Sequence, residues 1–216
     1  MDGPWVISAY ISLGEQVKRW HACQSSSLPI MRTLCDFHAR AHLFSHEVRS
    51  GSRSARTRTL GILAQRPELL STLRHKHLVG INNLMAALRD TVRQFAEVCR
   101  SLGNLYSAVW QRHASHQFHN IEDAVMPLLA SAPGKLGVDA REQLRVPSVM
   151  QCIEDHHEIY TACCNERCLR ESILEQMSHA MDAADLSRLN DIWTLQPELD
   201  AERMELVSGL CVSLTS

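Results

Sequence analysis

Histidine is the side chain in surplus here, with twelve copies against eleven Phe, Trp and Tyr together. Imidazole ligates metals and titrates near neutrality, so metal binding and proton transfer are the first chemistries to consider. Helical spacing sorts these residues. His77, the group His116, His119 and Asp123, then His156 or His157, and the carboxylate of Glu202 each fall where an apolar residue is expected or where the inward face is ambiguous. One such histidine alone reads as a hydrogen-bonded core residue, but their joint occurrence points to a shared centre. An unpaired carboxylate in an apolar core costs several kcal/mol or shifts its pKa, so Glu202 calls for a cation. Imidazoles with one or two carboxylates suit iron, manganese or zinc better than calcium or magnesium. His119 and Asp123, four residues apart, share one helix face.

The elements that must hold them read as helices. Leu70, Leu73, His77, Ile81, Leu84, Leu88, Val92, Phe95, Cys99 and Leu102 recur every three or four residues, with no period-two runs of β-branched residues. His77 lies in that stripe, whereas His75 is about 200° away and faces outward. Gly103 offers a stop. A second helix over 105–130 carries two stripes, and periodicity alone does not choose between them; Pro127 and the Ser-Ala-Pro-Gly at 131–134 break it. A third covers 146–178, where Val149, Cys152, His156, Ile159 and Cys163 form one stripe and Met150, Ile153, His157, Tyr160 and Cys164 its neighbour. In a fourth region Ile192, Leu195, Leu199, Glu202, Leu206 and Leu210 share a face, and Pro197 starts or kinks the last helix. The expected fold is all-α, an antiparallel four-helix bundle with an N-terminal helical or irregular extension.

Composition sets the bounds. A chain of 216 residues can bury a core without staples, and a formal charge of −2 argues against a nucleic-acid partner. No stretch is apolar enough to cross a bilayer and the N-terminus lacks a secretory h-region, so the expected location is cytoplasmic, away from membranes. Eight cysteines without a CxxC pair read as reduced thiols, with Cys163, Cys164 and Cys168 as small residues along a buried helix face. Residues 49–59 are small, polar and basic, which places a boundary near 60. Residues 1–59 form a basic extension and linker, with eight Lys or Arg against four Asp or Glu; the body, 60–216, has fourteen against twenty. The arm is available to an acidic protein partner, and His38, His42 and His46 line one of its sides.

Four segments resemble hemerythrin-like (HHE cation-binding) domains. His116-Gln-Phe-His-Asn-Ile-Glu-Asp-Ala-Val-Met-Pro-Leu-Leu129 is similar to the second-helix signature, a histidine followed by paired acids and an apolar stretch ending in Pro. Cys152-Ile-Glu-Asp-His-His-Glu-Ile159 is similar to the third-helix pattern and on that basis favours His156. Leu195-Gln-Pro-Glu-Leu-Asp-Ala-Glu-Arg203 resembles the last-helix motif, and Leu73-Arg-His-Lys-His-Leu78 supplies the first-helix histidine. The departures are Glu198 in place of the last-helix histidine, Arg203 in place of the second acid, and Pro127 about a residue too close to Asp123. The resemblance implies a ligand set of His77, His119, Glu122, Asp123, His156 and Glu202, with Glu198 as an addition, holding one or two iron ions, most simply a diiron centre. It further implies handling or sensing of dioxygen, a small oxidant or iron. The alternative is a metal-free helical protein-interaction module keeping a degenerate hemerythrin-like fold. No Gly-rich phosphate loop, GxSxG or HExxH is present, so the reading leans away from an enzyme.

Overall fold

The computed structural model describes residues 3–49, 65–123, 147–178 and 181–215; side chains at several helix ends, 42–49 and 116–123 among them, lie outside the description. Five helices cover these residues: α1 Gly3–Arg49, α2 Pro67–Asp123, α3 Val149–Gln176, α4 Ala183–Leu195 and α5 Ala201–Thr215. No strand occurs among the described residues, in keeping with an all-α chain.

A heptad-like spacing of buried positions shapes the three long helices. In α1 the inward row is Val6, Tyr10, Leu13, Val17, Trp20, Gln24, Ser27, Met31, Leu34, His38 and Ala41, alternating steps of four and three. In α2 it is Ile81, Met85, Leu88, Val92, Phe95, Cys99 and Leu102, and in α3 Cys152, His156, Ile159, Cys163, Glu166, Arg170 and Ile173. A 3.5-residue repeat keeps one seam facing its neighbours over many turns. Side-chain oxygens start the shorter spans: Ser148 Oγ accepts from the Gln151 N–H at 3.1 Å, Asp182 Oδ1 from Asp185 at 2.7 Å, and Asp200 Oδ1 from Arg203 at 3.1 Å. Gln196 ends α4 in the left-handed region, φ 50°, donating its N–H to Ile192 O, and Pro197 lies in the turn that follows.

The chain divides into two compact units, Met1–Lys18, Val98–Ala162 and Asp200–Ser216 forming the first, Arg19–Glu97 and Cys163–Leu199 the second. In the first unit, Val6, Tyr10 and Leu13 of α1, Leu102 and Val109 of α2, Ile153 and Ile159 of α3, and Met204 and Val207 of α5 are buried. In the second, Met31 and Leu34 pack with Ile81, Leu88 and Val92, with Ile173 and Leu174, and with Leu186, Leu189 and Trp193. Burying a side chain such as Leu34 or Leu88 stabilises by about 1.5–3 kcal/mol.

Two expectations change here. The stop at Gly103 is absent: α2 runs through it, and a Cβ there would lie 3.1 Å from the Tyr160 ring, so this glycine serves close approach. The helices expected over 70–102 and 105–130 are thus one helix as far as Asp123, and an antiparallel four-helix bundle over 60–216 is not confirmed by the described helices. The region set apart as an extension is largely α1, which contributes to the cores of both units; the boundary near 60 lies outside the described residues.

Gly80 lets α1 and α2 approach in the second unit. A Cβ on it would fall 2.4 and 2.7 Å from ring atoms of Phe37. Gly80→Ala is expected to lower stability by about 1–2 kcal/mol, the overpacking outweighing the gain in helix propensity. Gly80→Ala with Phe37→Leu is expected to recover most of the loss in urea denaturation.

Candidate functional site

The side chains with chemical potential gather in two buried polar clusters, one in each unit. In the first unit the centre is Asp155, 1% exposed on the inner side of α3. Tyr10 Oη donates to Asp155 Oδ2 at 2.5 Å, Gln151 Nε2 donates to Oδ1 at 2.9 Å, and Arg203 Nη2 reaches Oδ1 as well as Glu158 Oε2, the latter at 2.9 Å. Beside it, His156 Nδ1 donates to the Cys152 carbonyl at 2.7 Å, which fixes the neutral tautomer, and Tyr10 meets its ring edge-on with centroids 6.0 Å apart.

Tyr10, Cys152 and His156 are held in uncharged forms. Burial, followed by the hydrogen bond to Asp155, drives the Tyr10 phenol far above its ordinary value. Burial and then the Asp155 charge push the Cys152 thiol up to about 12. Burial lowers His156 more than the carbonyls of Cys152 and Ala9 and the Asp155 charge raise it. At neutral pH this cluster therefore offers no thiolate, and a catalytic cysteine needs the opposite setting.

In the second unit Glu166 and Arg170 occupy successive inward positions of α3, both side chains without exposed surface. Arg170 Nε donates to Glu166 Oε1 at 3.0 Å and its Nη2 to the Trp193 carbonyl at 3.4 Å. The guanidinium lies between two aromatic faces, 4.4 Å from the Phe95 centroid and 4.7 Å from that of Trp193. Gln24 Nε2 also donates to the Trp193 carbonyl, at 3.1 Å; Trp193 Nε1 donates to Ser27 Oγ at 3.0 Å and Trp20 Nε1 to Gln196 Oε1 at 3.0 Å. Thus one carbonyl in the last turn of α4, that of Trp193, is met by both an amide and a cation, the charge a helix C-terminus favours. The second oxygen of Glu166 accepts from the Glu198 N–H at 3.3 Å. Burial raises Glu166 and lowers Arg170 to about 10, outweighing their mutual attraction.

The expected ligands are placed as follows. His77 belongs to the second unit, half-buried, its ring T-shaped against Phe37 at 5.1 Å. His156 belongs to the first unit and is the inward member of its pair; His157 is exposed beside Tyr106. Glu202 is exposed on the first turn of α5, because the inward row there is Met204 and Val207. The side chains of His116, His119, Glu122 and Asp123 lie outside the described residues. Among the described residues no three or more His, Cys, Asp or Glu gather as they would around a metal ion. Glu198 and Arg203, read as departures from a ligand motif, have other contacts: the Glu198 backbone meets Glu166, and Arg203 neutralises Asp155. Of the basic arm's histidine row, His38 is buried and donates from Nε2 to Ser178 O at 3.0 Å, while the side chains of His42 and His46 lie outside the described residues. Cys163 is buried, Cys164 half-buried and Cys168 exposed, all as free thiols.

Sequence reasoning missed Asp155, Glu166, Arg170 and Tyr10. The signal was the spacing itself: Cys152, His156, Ile159 and Cys163 lead at the same steps to Glu166 and Arg170.

Two outcomes follow for stability. Glu166→Gln, which leaves the Arg170 charge buried and unpaired, is expected to cost about 3–5 kcal/mol, and Glu166→Leu with Arg170→Met distinctly less. Urea denaturation of the single and double variants checks this; equal losses would contradict it. For His156 the folded-state pKa is below the unfolded value near 6.5, so the unfolded chain takes up the proton first. Stability should therefore fall as pH drops from about 7.5 to 5.5, by at most about 1.4 kcal/mol per pH unit from this group. Glu166, raised, acts in the opposite direction, so the His156 part is read as the difference between the native chain and His156→Phe.

Against known proteins, the sequence matches the ribosome biogenesis protein C1orf109-like family over residues 6–212. No curated protein and no solved structure gave a match. The family match overturns the hemerythrin-like resemblance, and with it the reading as an iron domain handling or sensing dioxygen and the alternative of a degenerate hemerythrin-like module. The four short motifs that carried the resemblance are helix-compatible His and acid spacings, which a heptad seam with polar insertions also produces. Matched almost from end to end, the chain belongs to the ribosome biogenesis protein C1orf109-like family.

Proposed function

We propose that this chain serves ribosome biogenesis as a binding component of protein–RNA assemblies rather than as a catalyst, acting in the nucleus or nucleolus. The family match over residues 6–212 carries this reading. It runs against the expectations of a cytoplasmic protein without a nucleic-acid partner, which rested on the lack of an apolar span or secretory h-region and on a whole-chain charge near zero. The buried chemistry supports binding over catalysis: the Cys152 thiol, the Tyr10 phenol and the His156 imidazole are all held neutral. No helix among the described residues is long and apolar enough to cross a membrane.

The experiment is fractionation of nuclear extracts from cells carrying the tagged full-length chain, combined with its depletion. The chain is expected to sediment with precursor ribosomal particles, and depletion to cause precursor ribosomal RNA to accumulate. Sedimentation only as free protein, with unchanged RNA processing, would overturn the proposal.

A further inference from the structure

An open groove of about 510 Å³ lies between α2 and α3 in the second unit. Its floor is apolar, made by Val92 of α2 with Leu174 and Met177 of α3, all buried members of the core. Its two walls are charged and opposite in sign. Arg89 and Arg93, one turn apart, line the α2 side; Glu171 and Glu175, likewise one turn apart, line the α3 side. Heptad spacing puts them there, because each directly follows a buried residue, Leu88, Val92, Arg170 or Leu174. Arg89, Arg93 and Glu175 are exposed and Glu171 is half-buried.

The register of the two walls matters as much as their sign. Phe95 meets Arg170, and the groove is lined by residues before the one and after the other, so α2 and α3 run antiparallel here. Arg93 is therefore level with Glu171, and Arg89 is level with Glu175 one turn further on. No ion pair crosses the groove among the described residues. Arg93 pairs with Asp90, and Arg167 with Glu171 at 2.7 Å, each within its own helix. Exposed pairs of this kind are weak enough to exchange for others.

Opposite walls at matching levels are self-complementary. A two-fold axis running along the groove carries α2 of a second copy over α3 of the first without changing its level, so Arg93 meets Glu171 and Arg89 meets Glu175, twice over. An axis across the groove would instead set arginine on arginine and glutamate on glutamate. We propose that this groove pairs with the same groove of a second copy of the chain, forming a two-fold dimer. The floor is already buried and exposed ion pairs add little apiece, so the charges select the partner and the register while the association stays weak and salt-sensitive. The pairing is independent of the ribosomal role.

Sedimentation equilibrium of the full-length chain, from about 1 to 100 µM at about 0.05 M salt, is expected to show a reversible monomer–dimer equilibrium that moves toward monomer at about 0.5 M salt. Arg89→Glu/Arg93→Glu makes both walls acidic and Glu171→Lys/Glu175→Lys makes both basic, so each variant alone is expected to associate at least about tenfold more weakly. Mixed one to one, the two variants again present walls of opposite sign, and the dimer is expected to return as a heterodimer. Circular dichroism checks that both keep their helices. The single exchanges Arg89→Glu and Glu175→Lys, at residues held in no ion pair among the described residues, serve where a double variant fails to fold. A native chain that stays monomeric throughout, which leaves the groove to a protein of different sequence, would overturn the proposal. So would a dimer of native strength in either variant alone, or a mixture of folded variants that remains monomeric.

Discussion

The second unit depends on a single buried cation. Arg170 has no exposed surface, and removing a guanidinium from water costs several kcal/mol that attraction to one carboxylate does not fully return. Its surroundings supply the rest: the carboxylate one turn earlier, the carbonyl that ends α4, and an aromatic face on either side. Glu166 belongs to α3, Phe95 to α2, and the carbonyl and second ring both to Trp193 of α4, so holding one group orders α2, α3 and α4 together. Trp20 against Phe95 extends the arrangement to α1. An apolar replacement would fill the space but would not distinguish one heptad register from the next, and Arg170 with Glu166 does distinguish them.

The helical class was legible because leucines and isoleucines mark the seam of α2. The participation of α1 was not. Five of its inward positions are Tyr10, Trp20, Gln24, Ser27 and His38, which read as polar or bulky interruptions until their partners on other helices are known. Glu166 and Arg170 were hidden for the same reason. Periodicity identifies an inward row through its apolar members, and a row completed by a charge pair looks as though it has ended.

The histidine surplus misled in an instructive way. A histidine on an inward row signals a polar group needing a partner, and a backbone carbonyl can take one of its ring nitrogens without any metal. His156 donates from Nδ1 to Cys152 O and His38 from Nε2 to Ser178 O, while His156 Nε2 is buried without a partner among the described residues. Glu202 was placed inward because Leu199, Leu206 and Leu210 share its face, whereas the row that packs is Met204 and Val207, and Leu206 stands 55% exposed. On a short helix with leucines all round, periodicity admits two faces, and only the neighbouring elements select one.

The four tryptophans are divided two and two. Trp20 and Trp193 are fully buried in the second unit, while Trp5 and Trp110, the latter 51% exposed, belong to the first. Indole emission shifts to the blue in apolar surroundings and to the red in water, so the two units carry separable optical signatures without any label. Following the blue and red edges of the spectrum through a melt would reveal whether the units lose their structure as one cooperative body or one after the other.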